Sequence, residues 1–164
     1  MARGARSFIS SDENVSGSIV AVPSPTRLIA MQRLAPPMPA PPHPIRLLVI
    51  EDEQKLREAL AEGFQLEGWN VVAAGTGLEA LRHLGAETFD LLIIDWMLPD
   101  HDGVEILRQI RADGSRIPAL IVSARVSHVD QVTAIQSGAT DFIAKPFGFA
   151  DLLARSRALL AQTE

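Results

Sequence analysis

Five short apolar runs, Ile45–Ile50, Val71–Ala74, Leu91–Ile94, Ala119–Val122 and Phe142–Ala144, recur along the chain with helical patterns between them. Each run is mostly unbroken, the texture of a strand buried on both faces. Leu56, Leu60 and Phe64, with Ala59 and Gly63, form one stripe at helical spacing. Val104, Leu107 and Ile110 form a second, and Leu152, Ser156, Leu159 and Leu160 a third. Alternation of strand and helix five times over predicts an α/β fold, a parallel sheet covered by helices on both faces. Pro99 and Pro118 fall in connections, where proline belongs. Val126–Gly138 is the weakest helix, because its valines, threonine and serines lower helix propensity.

Charge stands where the apolar runs stop. Ile45–Ile50 ends in Glu51 and Asp52, Leu91–Ile94 in Asp95, and Phe142–Ala144 in Lys145 before Pro146. Parallel strands bring all four to one edge of one sheet, the edge where open α/β sheets bind ligands. Taken alone, Asp52 reads as an N-cap for a helix beginning near Glu53. Asp95 shifts that reading, since carboxylates about 4 Å apart repel by roughly 4 kcal/mol per pair at an effective dielectric of about 20. A cation relieves such a cluster. Oxygen donors without histidine or cysteine point to Mg²⁺ or Mn²⁺ rather than zinc. Lys145 supplies an ammonium that pairs with a carboxylate or a phosphoryl oxygen, and Ser123 supplies a hydroxyl at the same level.

Composition narrows the classes. The chain has no cysteine, which excludes a disulfide framework and fits a cytoplasmic protein. No apolar run approaches the ~18 residues of a membrane span, and no signal-peptide pattern opens the chain. Residues 1–44 carry four arginines against two acids while the whole chain is −5. The acidic remainder is a poor match for nucleic acid, so no direct nucleic-acid binding is expected. Prolines fill six of the nine positions 36–44. Residues 1–44 therefore read as a disordered Pro-rich tail and 45–164 as the folded domain. The four histidines show no ligand spacing and read as surface residues, and Trp69 reads as packing at the end of the first helix.

Four motifs together resemble the receiver domain of bacterial two-component response regulators. They are Val49-Ile50-Glu51-Asp52-Glu53, Asp95-Trp96-Met97-Leu98-Pro99 with Asp102-Gly103, Ser123-Ala124-Arg125, and Gly138–Phe147 containing Lys145-Pro146. The resemblance covers about residues 45–162. It implies a flavodoxin-like, doubly wound five-stranded parallel sheet in the order 2-1-3-4-5 with five helices. It implies that Asp95 is the phosphoacceptor, attacking a phosphohistidine of a sensor histidine kinase. Mg²⁺ would be held by Asp52, Asp95 and the carbonyl of Met97, with Glu51 acting through water. Lys145 and Ser123 would meet the phosphoryl group, Phe142 would change rotamer with Ser123, and the Lys145–Pro146 bond would be cis.

Met97-Leu98-Pro99, Ala124-Arg125 and Leu152-Leu153-Ala154-Arg155 are similar to the branch that carries a winged-helix DNA-binding domain. No such domain follows in this chain, so a stand-alone or truncated regulator is expected. In that branch the fourth helix, fifth strand and fifth helix pair two receivers. Asp141 and Arg155 match one ion pair of that homodimer, and Asp151 is the acid of a second whose basic position holds Gln131.

Three other functions compete. A phosphatase working through an aspartyl phosphate needs an acid two residues after the nucleophile, where Met97 stands. A flavin module needs a phosphate loop where Glu51-Asp52-Glu53 repels phosphate. A receiver-like interaction domain working without phosphorylation is the remaining alternative. No enzymatic activity beyond self-catalysed phosphorylation and dephosphorylation is expected.

Overall fold

The computed structural model describes residues 43–163. The Pro-rich tail expected over 1–44 lies almost wholly outside them. Five parallel strands form one sheet: β1 (Arg46–Ile50), β2 (Asn70–Ala74), β3 (Leu91–Asp95), β4 (Ala119–Ser123) and β5 (Asp141–Ala144). Their order is β2-β1-β3-β4-β5, as expected. Five helices follow the strands: α1 (Gln54–Leu66), α2 (Gly77–Ala86), α3 (Gly103–Ala112), α4 (His128–Gln136) and α5 (Phe149–Ala161). Each apolar run became a strand within one residue at either end.

Strand side chains alternate between two cores. Leu47, Val49, Leu91, Ile93, Leu120 and Val122 face α1 and α5, where Leu60, Phe64, Leu152 and Leu159 meet them. Leu48, Ile50, Leu92, Ile94 and Ile121 face the other side, against Ala80 of α2, Val104 and Leu107 of α3, and Ala134 of α4. A sheet covered on both faces needs apolar residues at every position, which is why the central strands read as continuous runs. The edge strands β2 and β5 are only half-buried. Trp69 packs on Phe64 with ring centroids 4.9 Å apart, in line with its packing role. Ala59, placed on the α1 stripe from its spacing, is exposed instead. Gly63 beside it has a close neighbour: a Cβ there would stand 2.6 Å from the Phe149 ring, so glycine lets α5 approach α1.

β1 and β3 are adjacent in register, with Ile50 opposite Ile94. β3 pairs with β4 and β4 with β5, Asp95 facing Val122 and Ser123 facing Ala144. This register brings Glu51, Asp95, Ser123 and Lys145 to one edge of the sheet.

Candidate functional site

Glu51 follows β1 and is buried, Asp95 ends β3 and is 5% exposed, and Asp52 is exposed at the rim. One carboxylate oxygen from each lies within 4.8 Å of the others. The N-cap of α1 is Glu53, with no side-chain cap. The capping role suggested by Asp52 in isolation is therefore not what the structure shows. The helix starts one residue later, and the Asp52 carboxylate joins the cluster. Glu51 Oε1 instead accepts the Glu53 N–H at 3.1 Å.

Lys145 reaches across β4 on its long stem. Its Nζ donates to Glu51 Oε2 at 2.9 Å and to Asp95 Oδ2 at 3.1 Å. Burial works against its charge, but the bond to Glu51 and the charge of Asp95 outweigh it and raise its pKa. Ser123 is fully buried between these groups, its Oγ accepting the Arg125 N–H at 2.9 Å. The Lys145–Pro146 peptide is cis, as the resemblance implied.

One ammonium does not neutralise three carboxylates. Burial pushes Glu51 up to about 7, with the charge of Asp95 adding to the rise and the bond from Lys145 opposing it. Its folded value lies above its unfolded value of 4.5, so the folded state holds this proton more tightly. The stability Glu51 contributes is full below pH 4.5, declines as pH rises to about 7, and is then lost. In metal-free protein, Glu51→Gln is therefore expected to gain in melting temperature relative to wild type across that window, with a flat difference outside it. A pH-independent difference would refute the role of burial.

The β3–α3 connection carries Met97, whose N–H donates to Asp95 Oδ1 at 3.1 Å and whose side chain is exposed. Asp102 caps α3 by accepting the Val104 N–H at 2.9 Å and holds the Trp96 indole N–H at 3.0 Å. A Cβ on Gly103 would collide with the backbone carbonyl of Asp95, so only glycine lets α3 start this close to β3.

Two residues near this edge were missed in the sequence reading. Arg57 Nη1 donates to the carbonyls of Glu51 at 2.8 Å and Asp52 at 3.1 Å, pinning the acidic turn from behind. Asp100 bonds the first amides of α2. Both act on backbone atoms, for which a sequence carries no label.

The remaining expected residues lie on another face. Phe142 is half-buried against the core of α2, α3 and α4. Asp141 and Asp151 both bond Arg155 of the same chain, at 3.1 and 3.2 Å. Gln131, Ile135, Phe142, Pro146, Asp151 and Arg155 line a groove between α4, β5 and α5. The histidines are exposed or half-exposed, in line with a surface reading, and two have acidic neighbours: His83 Nδ1 lies 3.3 Å from Glu87, and His101 Nδ1 2.9 Å from Asp100.

Fold and site together define a class: a flavodoxin-like α/β module with an acidic crevice at the carboxyl ends of its central strands. The model of the response regulator receiver domain matches residues 47–157, and the chain belongs to that family. It is 39% identical over 120 residues to the response regulator MprA of Mycobacterium ulcerans, covering 73% of this chain and 52% of that protein. The chain thus spans about half the length of the curated relatives it matches. Among solved structures, the Francisella response regulator 1452 receiver domain superposes with TM-score 0.71 at 30% identity, covering 73% of this chain and 99% of that one. A CheY-like receiver domain protein of Methanospirillum hungatei superposes with TM-score 0.70 at 27% identity, covering 73% and 96%. No helix among the described residues is long and apolar enough to cross a membrane.

Proposed function

We propose that this chain takes a phosphoryl group from a sensor histidine kinase onto Asp95 and passes the change to the α4–β5–α5 face. The observation that carries this reading is the placement of Asp95 at the end of the central strand, between two further acids and Lys145. A carboxylate oxygen of Asp95 attacks phosphorus, an acyl phosphate forms, and the P–N bond of the phosphohistidine breaks with its electron pair going to the imidazole. The step depends on charge neutralisation and positioning more than on a strong base. The all-oxygen donor set and the raised pKa of Glu51 fit a hard divalent cation. Glu51, Asp52, Asp95 and the carbonyl of Met97 are the groups that would hold Mg²⁺, which supplies positive charge for the incoming anion. Lys145 then moves its hydrogen bonds from the carboxylates to the phosphoryl oxygens, and the Ser123 hydroxyl donates to the same group. On this reading the protein acts in the cytoplasm.

The full-length protein, incubated with Mg²⁺ and a small phosphodonor, is expected to acquire an acid-stable, base-labile phosphate that a chelator prevents. Trp96 adjoins Asp95 and reports cation binding by fluorescence. No phosphate and no fluorescence response to Mg²⁺ or beryllofluoride would move the protein to the phosphorylation-independent alternative.

The output face follows from α4. It is nine residues long, buries only Ala134, and leaves Val129, Val132 and Ile135 exposed at 71, 38 and 50%. Little packing holds it, so a change at Ser123 and Phe142 can shift it at small cost. The phosphorylated form pairs through this ridge, with Asp141, Asp151 and Arg155 at its rim. Surface ion pairs contribute only about 0–1 kcal/mol each, so the apolar ridge dominates despite Gln131. Ile135→Glu is expected to keep the beryllofluoride-bound protein monomeric in sedimentation while leaving phosphate incorporation unchanged. A variant that still dimerises like wild type would place the interface elsewhere.

A further inference from the structure

We propose that Asp100 is a positioning residue for the cation site, tying the β3–α3 connection to the N-terminus of α2 so that Asp95 and the Met97 carbonyl are held in place. This rests on the reading above that the site takes Mg²⁺. Both oxygens of Asp100 are used: Oδ1 accepts the Gly77 N–H at 2.8 Å and Oδ2 the Leu78 N–H at 2.9 Å. These are charge-assisted bonds at the positive end of a helix dipole, and they join segments more than twenty residues apart.

α2 also carries a cap of its own. Thr76 Oγ1 accepts the Glu79 N–H at 3.1 Å, the N-cap half of a capping box, and Glu79 Oε2 accepts the N–H of Gly75, one residue before the cap, at 2.8 Å. Asp100 takes the Gly77 and Leu78 amides that this cap leaves open, so it serves the start of α2 and its own connection together. That connection is otherwise held by the Asp95–Met97 bond, by the Met97–Asp102 bridge beside the Gly103 N–H to Trp96 carbonyl bond, by the Trp96 indole N–H on Asp102, and by Leu98 packed on the core. The first of these uses Asp95 Oδ1, an oxygen of the carboxylate that must also serve cation and phosphoryl group. When that oxygen is engaged, Asp100 still hydrogen-bonds the middle of the connection to α2.

The contact surface agrees. A Cβ on Gly77 would stand 2.9 Å from His101 Cβ, so glycine lets the connection lie directly on α2. His101 Nδ1, 2.9 Å from Asp100 Oδ2, closes the arrangement. The amide of Gly77 holds the Asp100 carboxyl well below the usual carboxylate range, so the tie stays ionised at neutral pH.

The test is Mg²⁺ titration of the full-length protein by calorimetry and tryptophan fluorescence, beside thermal melts. Asp100→Ala is expected to raise the Mg²⁺ Kd about 10-fold, the scale of losing a partner outside the metal's own ligands. Thr76→Ala removes a cap from the same helix without touching the tie, so it should lower the melting temperature and leave Kd within about 2-fold. Asp100→Asn keeps one acceptor and should fall between wild type and Asp100→Ala; it carries the test if Asp100→Ala does not fold. An unchanged Kd in both Asp100 variants, or an equal rise in Thr76→Ala, overturns the proposal. Wild-type protein that ignores Mg²⁺ overturns the cation-site reading itself, and this proposal with it.

Discussion

Asp95→Asn is expected to reduce phosphate incorporation from a small donor by roughly 10²-fold or more, down to assay background, because removing a nucleophile eliminates the step rather than slowing it. The amide cannot form an acyl phosphate, and no neighbour is placed to substitute. Glu51 is bonded to Lys145 and to the Glu53 amide, and Asp52 sits at the exposed rim. Folding should survive. Asparagine keeps an oxygen for the Met97 N–H, and it removes one of the charges crowding Glu51. A melting temperature at or above that of wild type, measured on the same sample, separates lost chemistry from lost structure. Wild-type incorporation by the variant would show that another residue takes the phosphate.

Arg111→Ala is expected to destabilise the fold by about 3 kcal/mol, lowering the melting temperature by roughly 10–15 °C. Arg111 sits in the last turn of α3, and the hydrogen bonds of its guanidinium all go to carbonyls. Nε and Nη2 reach Gly138 at 3.1 and 3.0 Å, Nη1 reaches Ser115 at 3.1 Å, and Nη2 reaches Ile117 at 2.7 Å. It thereby joins the α3–β4 and α4–β5 connections. Truncation leaves three half-buried carbonyls without donors, each costing about 1–3 kcal/mol before water offsets part of it. Gly138 belongs to the same joint. Its φ is +100°, and a Cβ there would stand 2.8 Å from Arg111 Cγ. Arg111→Lys should recover little, since one ammonium cannot span three carbonyls. Urea unfolding measures the loss, and a value under about 1 kcal/mol would mean water satisfies the carbonyls as well as arginine does.

These two residues differ in how far they could be read beforehand. Asp95 ends an apolar run in the middle of the strand series, and its spacing from Glu51-Asp52 and Lys145 carries the signal. Arg111 looks like any arginine on a helix, because its partners are carbonyls of segments whose approach the sequence does not announce. Arg57 and Asp100 were passed over for the same reason: they bind the backbone of the acidic turn and of α2. Ala59 fails in the opposite direction. Its spacing fits the buried stripe, but the helix face turns it to solvent. Asp52 has good capping chemistry, and the start of α1 at Gln54 decided against it.

The sequence by itself determined the strands, the five-fold alternation, the two-sided core and the acids and lysine at the strand ends. Those follow from hydrophobic periodicity and chain polarity, which are local properties. Only the tertiary structure decided which oxygen meets which proton: Lys145 on both Glu51 and Asp95, Arg57 behind the acidic turn, Asp100 on α2. Those depend on distances between segments set by strand register and helix packing, and on backbone donors and acceptors that every residue shares and no residue type marks.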